Sequence, residues 1–486
     1  MSKNNLKMNL IYQSAYQLLM VISPLITSPY IARTLGNEMY GVYSYYYSIA
    51  YYFGIFTLLG LANYGNRAIA KAKIESVEKL SKIFLQMMVM QICMLVIVSV
   101  VYFCSIPLWV GKYKANALIE WMYILSAGLD ISWFYFGIEE FKVTTQRSFI
   151  VKIGIIACIL FFVKSPDDLN KYTAIMAGGM LISSLILWIQ LPKYVVPTKV
   201  YVKDIAQHIK PNLVLFIPVV SLALFHYTDK IMLGTMSTWK ELGYYTNSDK
   251  IVNIPMGLIN GLGVVMLPRI SVLSISDEAN KIKKYVNTSI VLSLWAGIAL
   301  CFGIKAVGTD FIPFFFGKGY MRCAELLEWL SVVIIIKAIS NVLRTQYLIP
   351  MEKDKEFNIS VILAAVVNVI FNYILIPIYG AMGAVIGTLI AETMVLVLYG
   401  YFSREVINFR KVLFPGSMFL IAGIIMDMIL EIIKTKMPIT NLFVRLIIEV
   451  CIGGIMYCVI TFGSSVVVKK YSPITNDHCS DEGKVN

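Results

Sequence analysis

Apolar residues recur in blocks of about twenty along almost the whole chain, which is the length a helix needs to cross the hydrocarbon layer of a bilayer. Windows of this size place spans at 10–31, 41–63, 84–106, 117–138, 148–163, 172–190, 211–235, 250–268, 287–307, 326–349, 357–376, 380–402, 412–431 and 443–466. The pattern predicts an all-α, polytopic membrane protein of about fourteen transmembrane helices. The polar stretches between blocks are too short to fold as a separate aqueous domain. The first block follows Lys3 and Lys7 in the manner of a signal sequence. It is longer than a signal core, has no small-residue cleavage site and leads at once to further spans, so it reads as a retained helix.

The spans carry an internal repeat. A shift of 202 residues superposes Gly41 on Gly243, Tyr43 on Tyr245, Arg67 on Arg269 and Lys79 on Lys281, and Trp121 meets Trp329 at a shift of 208. In each half a Gly-x-Tyr-Ser/Thr motif is followed by a span, an Arg and a charged amphipathic stretch. Six spans return the chain to its starting side, so the two halves run parallel, as in transporters built from two facing bundles. The predicted organisation is an N-lobe bundle over 1–190, a linker over 191–210, a C-lobe bundle over 211–403, an extra helix pair over 404–468 and a polar tail over 469–486. The linker is rich in lysine, with Lys193, Lys199, Lys203 and Lys210.

Composition supports a lipid environment. Hydrophobic residues make up 58% of the chain, charged residues 15%, and the mean hydropathy is +0.72, whereas a soluble domain carries about a quarter charged residues. The net charge of +13 fits basic cytoplasmic loops rather than nucleic-acid binding, because Lys and Arg gather on the inner side of a membrane protein. Their distribution over alternate loops favours both termini inside. No Cys-x-x-Cys pair occurs among the eight cysteines, so neither a disulfide framework nor a zinc site is indicated. Phosphate-loop, zinc-protease and nucleophile-elbow signatures are missing, and the three histidines are scattered. The chain reads as a non-enzyme without cofactor or metal.

Charged and amide groups inside apolar spans are costly, and they tend to face a cavity or a partner. Lys337, Asn341 and Arg344 fall at i, i+4 and i+7, a cationic face suited to a pyrophosphate. A structural pair with an acid such as Asp130 or Glu392 is the competing account. Lys250, Asn253, Gly257 and Asn260 share one face of span eight, where amides suit sugar hydroxyls or a helix-packing seam. In span seven, His226, Asp229 and Lys230 form another polar group. Asp130, Asp229 and Glu392 are candidates for ion coupling. Tyr43, Tyr47 and Tyr51 line one face of span two and suit either sugar stacking or an interfacial belt. Asn368 and Asn372 read mainly as helix glue. Pro24, Pro29, Pro218 and Pro255 permit kinks. Arg445 with Glu449 is most simply an intrahelical ion pair, and Asp427 with Glu431 repeats the spacing.

The run Ile31-Ala32-Arg33-Thr34-Leu35-Gly36, then Glu38, then Gly41-Val42-Tyr43-Ser44, resembles the bacterial polysaccharide-unit flippases of the Wzx type. These belong to the multidrug, oligosaccharidyl-lipid and polysaccharide exporter superfamily. The resemblance implies a V-shaped transporter of the bacterial inner membrane that alternates between inward-open and outward-open states. Its cargo would be an undecaprenyl-pyrophosphate-linked oligosaccharide, delivered to the outer leaflet for O-antigen or capsule. The polysaccharide polymerase machinery is an implied partner. Relatives that flip the peptidoglycan precursor place cationic residues in a central cavity and a lipid groove at the last two helices, and Arg33 is the matched position here. A drug or cation antiporter of the same superfamily is the alternative, and a membrane polysaccharide polymerase a more distant one.

Overall fold

The computed structural model describes residues 22–275, 278–436 and 441–471. These residues are helical almost throughout, with no strand among them. A helix satisfies its own backbone N–H and C=O groups, which hydrocarbon cannot do. The helices are α1 (22–34), α2 (Gly36–Leu58), α3 (Leu61–Glu75), α4 (Val77–Trp109), α5 (Lys114–Leu129), α6 (Ser132–Gly137), α7 (Phe141–Phe162) and α8 (Leu169–Gln190). They continue with α9 (Val202–Met236), α10 (Trp239–Ile275), α11 (Ala279–Phe315), α12 (Met321–Leu343), α13 (Asp354–Tyr379), α14 (Ala381–Phe402), α15 (Phe409–Lys436) and α16 (Leu442–Tyr471).

Among the described residues ten helices are long and apolar enough to cross a membrane: α4, α7, α8, α9 and α11 to α16. The other four expected spans fall on α1, α2, α5 with α6, and α10. Residues 10–21 of the first lie outside the described residues. Seven tyrosines lower the hydropathy of α2, and α5 has only 16 residues before Asp130 breaks it from α6. Helix α10 carries Lys240, Glu241, Asp249 and Lys250 in its first turns.

By packing, the chain separates into one unit of Met1–Lys250 with Asn358–Ala391, and another of Ile251–Phe357 with Glu392–Asn486. In the first unit, α3 is amphipathic. Leu61, Gly65, Ile69 and Ala72 recur every three or four residues and are buried, placing one face in a core with Phe84, Met87, Trp133 and Phe134. Gln91 closes the α5–α6 break. Its Nε2 donates to the carbonyls of Ala127 and Asp130 at 3.0 and 2.9 Å, and its Oε1 accepts from Trp133 Nε1 at 3.1 Å. These bonds satisfy carbonyls that a helix end leaves open.

The repeated motif is also a contact. A Cβ at Gly41 would run into the Trp239 carbonyl, and a Cβ at Gly243 into the Asn37 carbonyl. Asn37 and Trp239 are themselves equivalent under the shift of 202. Ser44 and Thr246, likewise equivalent, meet hydroxyl to hydroxyl at 3.0 Å. Asn37 Nδ2 donates to the Lys240 carbonyl at 2.5 Å, and Asn247 Nδ2 donates to Asn37 Oδ1 at 3.2 Å. Each copy of the motif therefore touches the other in the reciprocal way expected of a two-fold contact.

In the second unit α11 is the central strut. Lys305 lies 3.2 Å from Asp427 on α15 and 3.6 Å from Glu328 on α12. Arg445 on α16 bridges Asp310 at 3.0 Å and Glu449 at 3.1 Å. Trp295 donates to Thr461 at 3.1 Å, and Tyr457 donates to the Trp295 carbonyl at 2.9 Å. A Cβ at Gly423 would crowd the Phe302 ring, so α15 packs closely on α11.

Candidate functional site

The cationic face predicted in span ten lies at the end of α12. The helix passes into a π-turn over Arg344–Leu348, where the Ile349 N–H reaches back to the Arg344 carbonyl at 3.0 Å. Such turns widen a helix locally and often mark functional sites. Lys337 stands 3.0 Å from Glu392 of α14, whose side chain is 6% exposed. This is the acid–base pair weighed as the structural alternative. Arg344 forms no ion pair among the described residues. Its Nη2 donates to Asn341 Oδ1 at 2.9 Å, while Arg344 Nε and Asn341 Nδ2 are buried without a hydrogen-bond partner.

A second polar group lies in the first unit. Asp229 is 2% exposed, and its Oδ2 accepts from Tyr245 OH at 2.6 Å and Thr388 Oγ1 at 2.8 Å. Its Oδ1 accepts from Asn372 Nδ2 at 2.6 Å, and Asn372 Nδ2 also donates to Asn368 Oδ1 at 3.2 Å. All the donors are neutral. The neighbouring Lys230 turns away to Asp249 at 3.3 Å, so Asp229 and Lys230 do not neutralise one another. His226 is exposed.

The remaining candidates are dispersed. Lys250 Nζ sits 4.2 Å from the centre of the Tyr40 ring, a cation–π distance. Asn253 and Arg33 are exposed, and Asn260 lies outside the residues whose side chains are described. Asp130 caps α6, accepting from Ser132 N at 2.7 Å, and lies 3.8 Å from Arg147.

The tyrosine face of α2 is turned into the first unit. Tyr51 stacks on Tyr227 with centroids 4.0 Å apart, and Tyr43 meets Tyr172 edge-on at 4.7 Å. Tyr43 and Tyr47 also form part of the wall of a cavity of about 260 Å³ bounded by α2, α5, α7 and α8. Glu120 of α5 is on the same wall, buried, with neither carboxylate oxygen hydrogen-bonded. The sequence reading fixed on Asp130 and passed over Glu120. The signal was present, because Asn116, Glu120 and Tyr123 share the i, i+4, i+7 spacing that singles out Lys337, Asn341 and Arg344.

A family described as polysaccharide biosynthesis protein matches residues 6–274, more than half of the chain. The chain belongs to that family. Two relatives of this family member carry the name "Putative O-antigen transporter". The one from Escherichia coli (strain K12) is 24% identical over 83% of this chain and 98% of its own. The one from Shigella dysenteriae is 25% identical over 82% and 98%. A solved structure entitled "Lipid II flippase MurJ, inward closed conformation" superposes with a TM-score of 0.74 at 17% identity, covering 95% of this chain and 99% of the other. The polysaccharide biosynthesis family member therefore has that flippase's fold.

Proposed function

We propose that this protein moves an undecaprenyl-pyrophosphate-linked oligosaccharide repeat unit from the inner to the outer leaflet of the bacterial cytoplasmic membrane by alternating access. The product serves surface polysaccharide assembly, as O-antigen or capsule. Both termini are cytoplasmic, and α1, α2, α5 with α6, and α10 complete fourteen spans. Their polar faces suit helices that border a polar path. The repeat bundles over 1–190 and 211–403 act as the two lobes, and the pair over 404–468 borders the lipid tail. The names of two relatives matched over 98% of their own lengths support the cargo class.

Arg344 carries the reading for the head group. A guanidinium inside a membrane helix, in no ion pair among the described residues and with Nε unpartnered beside the unpartnered Nδ2 of Asn341, is arranged to receive an anion. Each buried donor left open costs about 1–3 kcal/mol, which a phosphate oxygen would recover. Lys337, Asn341, Asn253 and Asn260 are the further substrate-facing positions proposed in the same unit, and Lys250 and Arg33 those proposed in the other. Asp229, held by neutral donors alone, is the ion-coupling acid of first choice, with Glu392 and Asp130 already engaged by Lys337 and Arg147.

The test is complementation of a strain lacking its own repeat-unit flippase. Arg344→Ala should lower surface polysaccharide at least tenfold with the protein still in the membrane, and Arg344→Lys should fall between, because lysine lacks the bidentate fork. Undiminished polysaccharide from Arg344→Ala would overturn the anion role. Purified protein that bound a cationic drug and no polyprenyl-pyrophosphate sugar would overturn the flippase reading as a whole.

A further inference from the structure

Glu120 is 1% exposed, and both of its oxygens lack a hydrogen-bond partner. A bare carboxyl in a dry interior is expensive, and this one lines a cavity rather than packed side chains. Arg147 and Lys152 of α7 lie on the same wall, and Arg147 Nε is buried without a partner. Tyr43, Tyr47 and Tyr123 give the wall one aromatic side, and Val151, Ile155 and Met176 give it an aliphatic one. Tyr47 meets Tyr123 edge-on with centroids 5.2 Å apart and stacks on Tyr43 at 5.8 Å.

Acceptors, donors and ring faces that converge on one space match the surface of a sugar. A carboxylate accepts from two neighbouring hydroxyls at once, and cationic donors reach ring and hydroxyl oxygens. The aromatic faces take the apolar C–H side of the ring. The volume of about 260 Å³ lies just under the range of about 300–1,000 Å³ that holds drug-sized ligands, which suits one ring rather than a chain. A proton alone would need neither the space nor the aromatic walls.

We propose that this cavity is a saccharide subsite, taking a single sugar ring with its hydroxyls on Glu120 and its apolar face on Tyr47 and Tyr123. The subsite rests on the reading that the cargo carries sugar. The ring belongs either to the lipid-linked unit or to a free sugar, and both present the same chemistry.

Saturation-transfer NMR on the purified full-length protein in detergent, with glucose, N-acetylglucosamine and glucuronic acid as probes, tests it. Transfer to the ring protons of at least one probe is expected in the unaltered chain and in the surface variant Lys355→Ala. It should fall at least tenfold in Glu120→Gln and in Tyr47→Ala, and the tyrosine variant carries the test if the other does not reach the membrane. A parallel loss of polysaccharide export in Glu120→Gln assigns the ring to the lipid-linked unit, whereas unchanged export assigns it to a free sugar. No transfer in the unaltered chain, or equal transfer in both variants, overturns the subsite. If the unaltered chain still supports export in that case, the subsite alone has failed and the flippase reading stands.

Discussion

Replacing Gly41 or Gly243 by alanine tests the reciprocal helix crossing. Both residues are helical, and away from a contact the change stabilises a helix by about 0.5–1 kcal/mol. Here the new methyl at Gly41 would lie 2.9 Å from the Trp239 carbonyl carbon and 3.0 Å from the Gly243 nitrogen. At Gly243 it would lie 2.7 Å from Asn37 Oδ1. The partner's carbonyl oxygen is nearer still at both positions, and ordinary contact begins at about 3.5 Å, so α2 and α10 must part by more than about 1 Å. Overpacking of this kind costs about 1–3 kcal/mol. The propensity gain is outweighed, and each single variant should be about 1–2 kcal/mol less stable. The two clashes share one gap, so the first substitution opens room for the second, and the double variant should lose about 0.5–1 kcal/mol less than the sum. Equilibrium unfolding in mixed detergent micelles, followed by circular dichroism, measures all three. A single variant as stable as the parent, or losses that add, would refute the shared crossing.

Two further predictions concern pairs. Lys337→Ala leaves Glu392 buried without its counter-charge and should destabilise the protein by about 3–5 kcal/mol, whereas Lys337→Ala with Glu392→Ala should recover most of that in the same unfolding assay. Ser44→Cys with Thr246→Cys, whose hydroxyls now lie 3.0 Å apart, should form a disulfide in oxidised membranes, seen as a mobility shift in a protein otherwise freed of cysteine. The bridge should abolish polysaccharide export, and reductant should restore it.

Much of the fold was legible because membrane helices write their length directly into apolar runs. The spans expected on α1, α2, α5 with α6, and α10 came from the same apolar windows, although tyrosines or charges make these helices less apolar than the other ten. Sequence could show that Gly41 and Gly243 are equivalent, but not that they touch, because equivalence under a shift says nothing of distance. At the candidate site, the spacing of Lys337, Asn341 and Arg344 placed three groups on one face, yet could not tell which one an acid had claimed. Glu392 is 55 positions from Lys337 in the chain, and only the packing of α14 on α12 brings it to 3.0 Å. Glu120 was missed for the opposite reason. Its spacing with Asn116 and Tyr123 carried a signal, but the cavity that Glu120 and Tyr123 line is made by packing between helices.

The repeat boundary at 191–210 and the packing boundary after Lys250 divide the chain differently, and the crossing explains why. Helix α9 and the first turns of α10 follow the first repeat, in the linker and the second repeat, but pack on α2 and α3, through Tyr52 OH with Thr228 at 2.7 Å, Tyr64 OH with His208 at 2.7 Å, and Ser44 with Thr246. A motif that must bind its own copy needs one solution used twice: a glycine to admit the partner's carbonyl, and a small hydroxyl where the two copies meet. Gly41 with Ser44 and Gly243 with Thr246 meet that requirement on both sides. The alternating access proposed above would have to open this contact together with the Tyr51–Tyr227 stack and the Tyr52–Thr228 hydrogen bond. A larger residue at Ser44 or Thr246 would therefore shift the balance between states before it affected folding elsewhere in the unit.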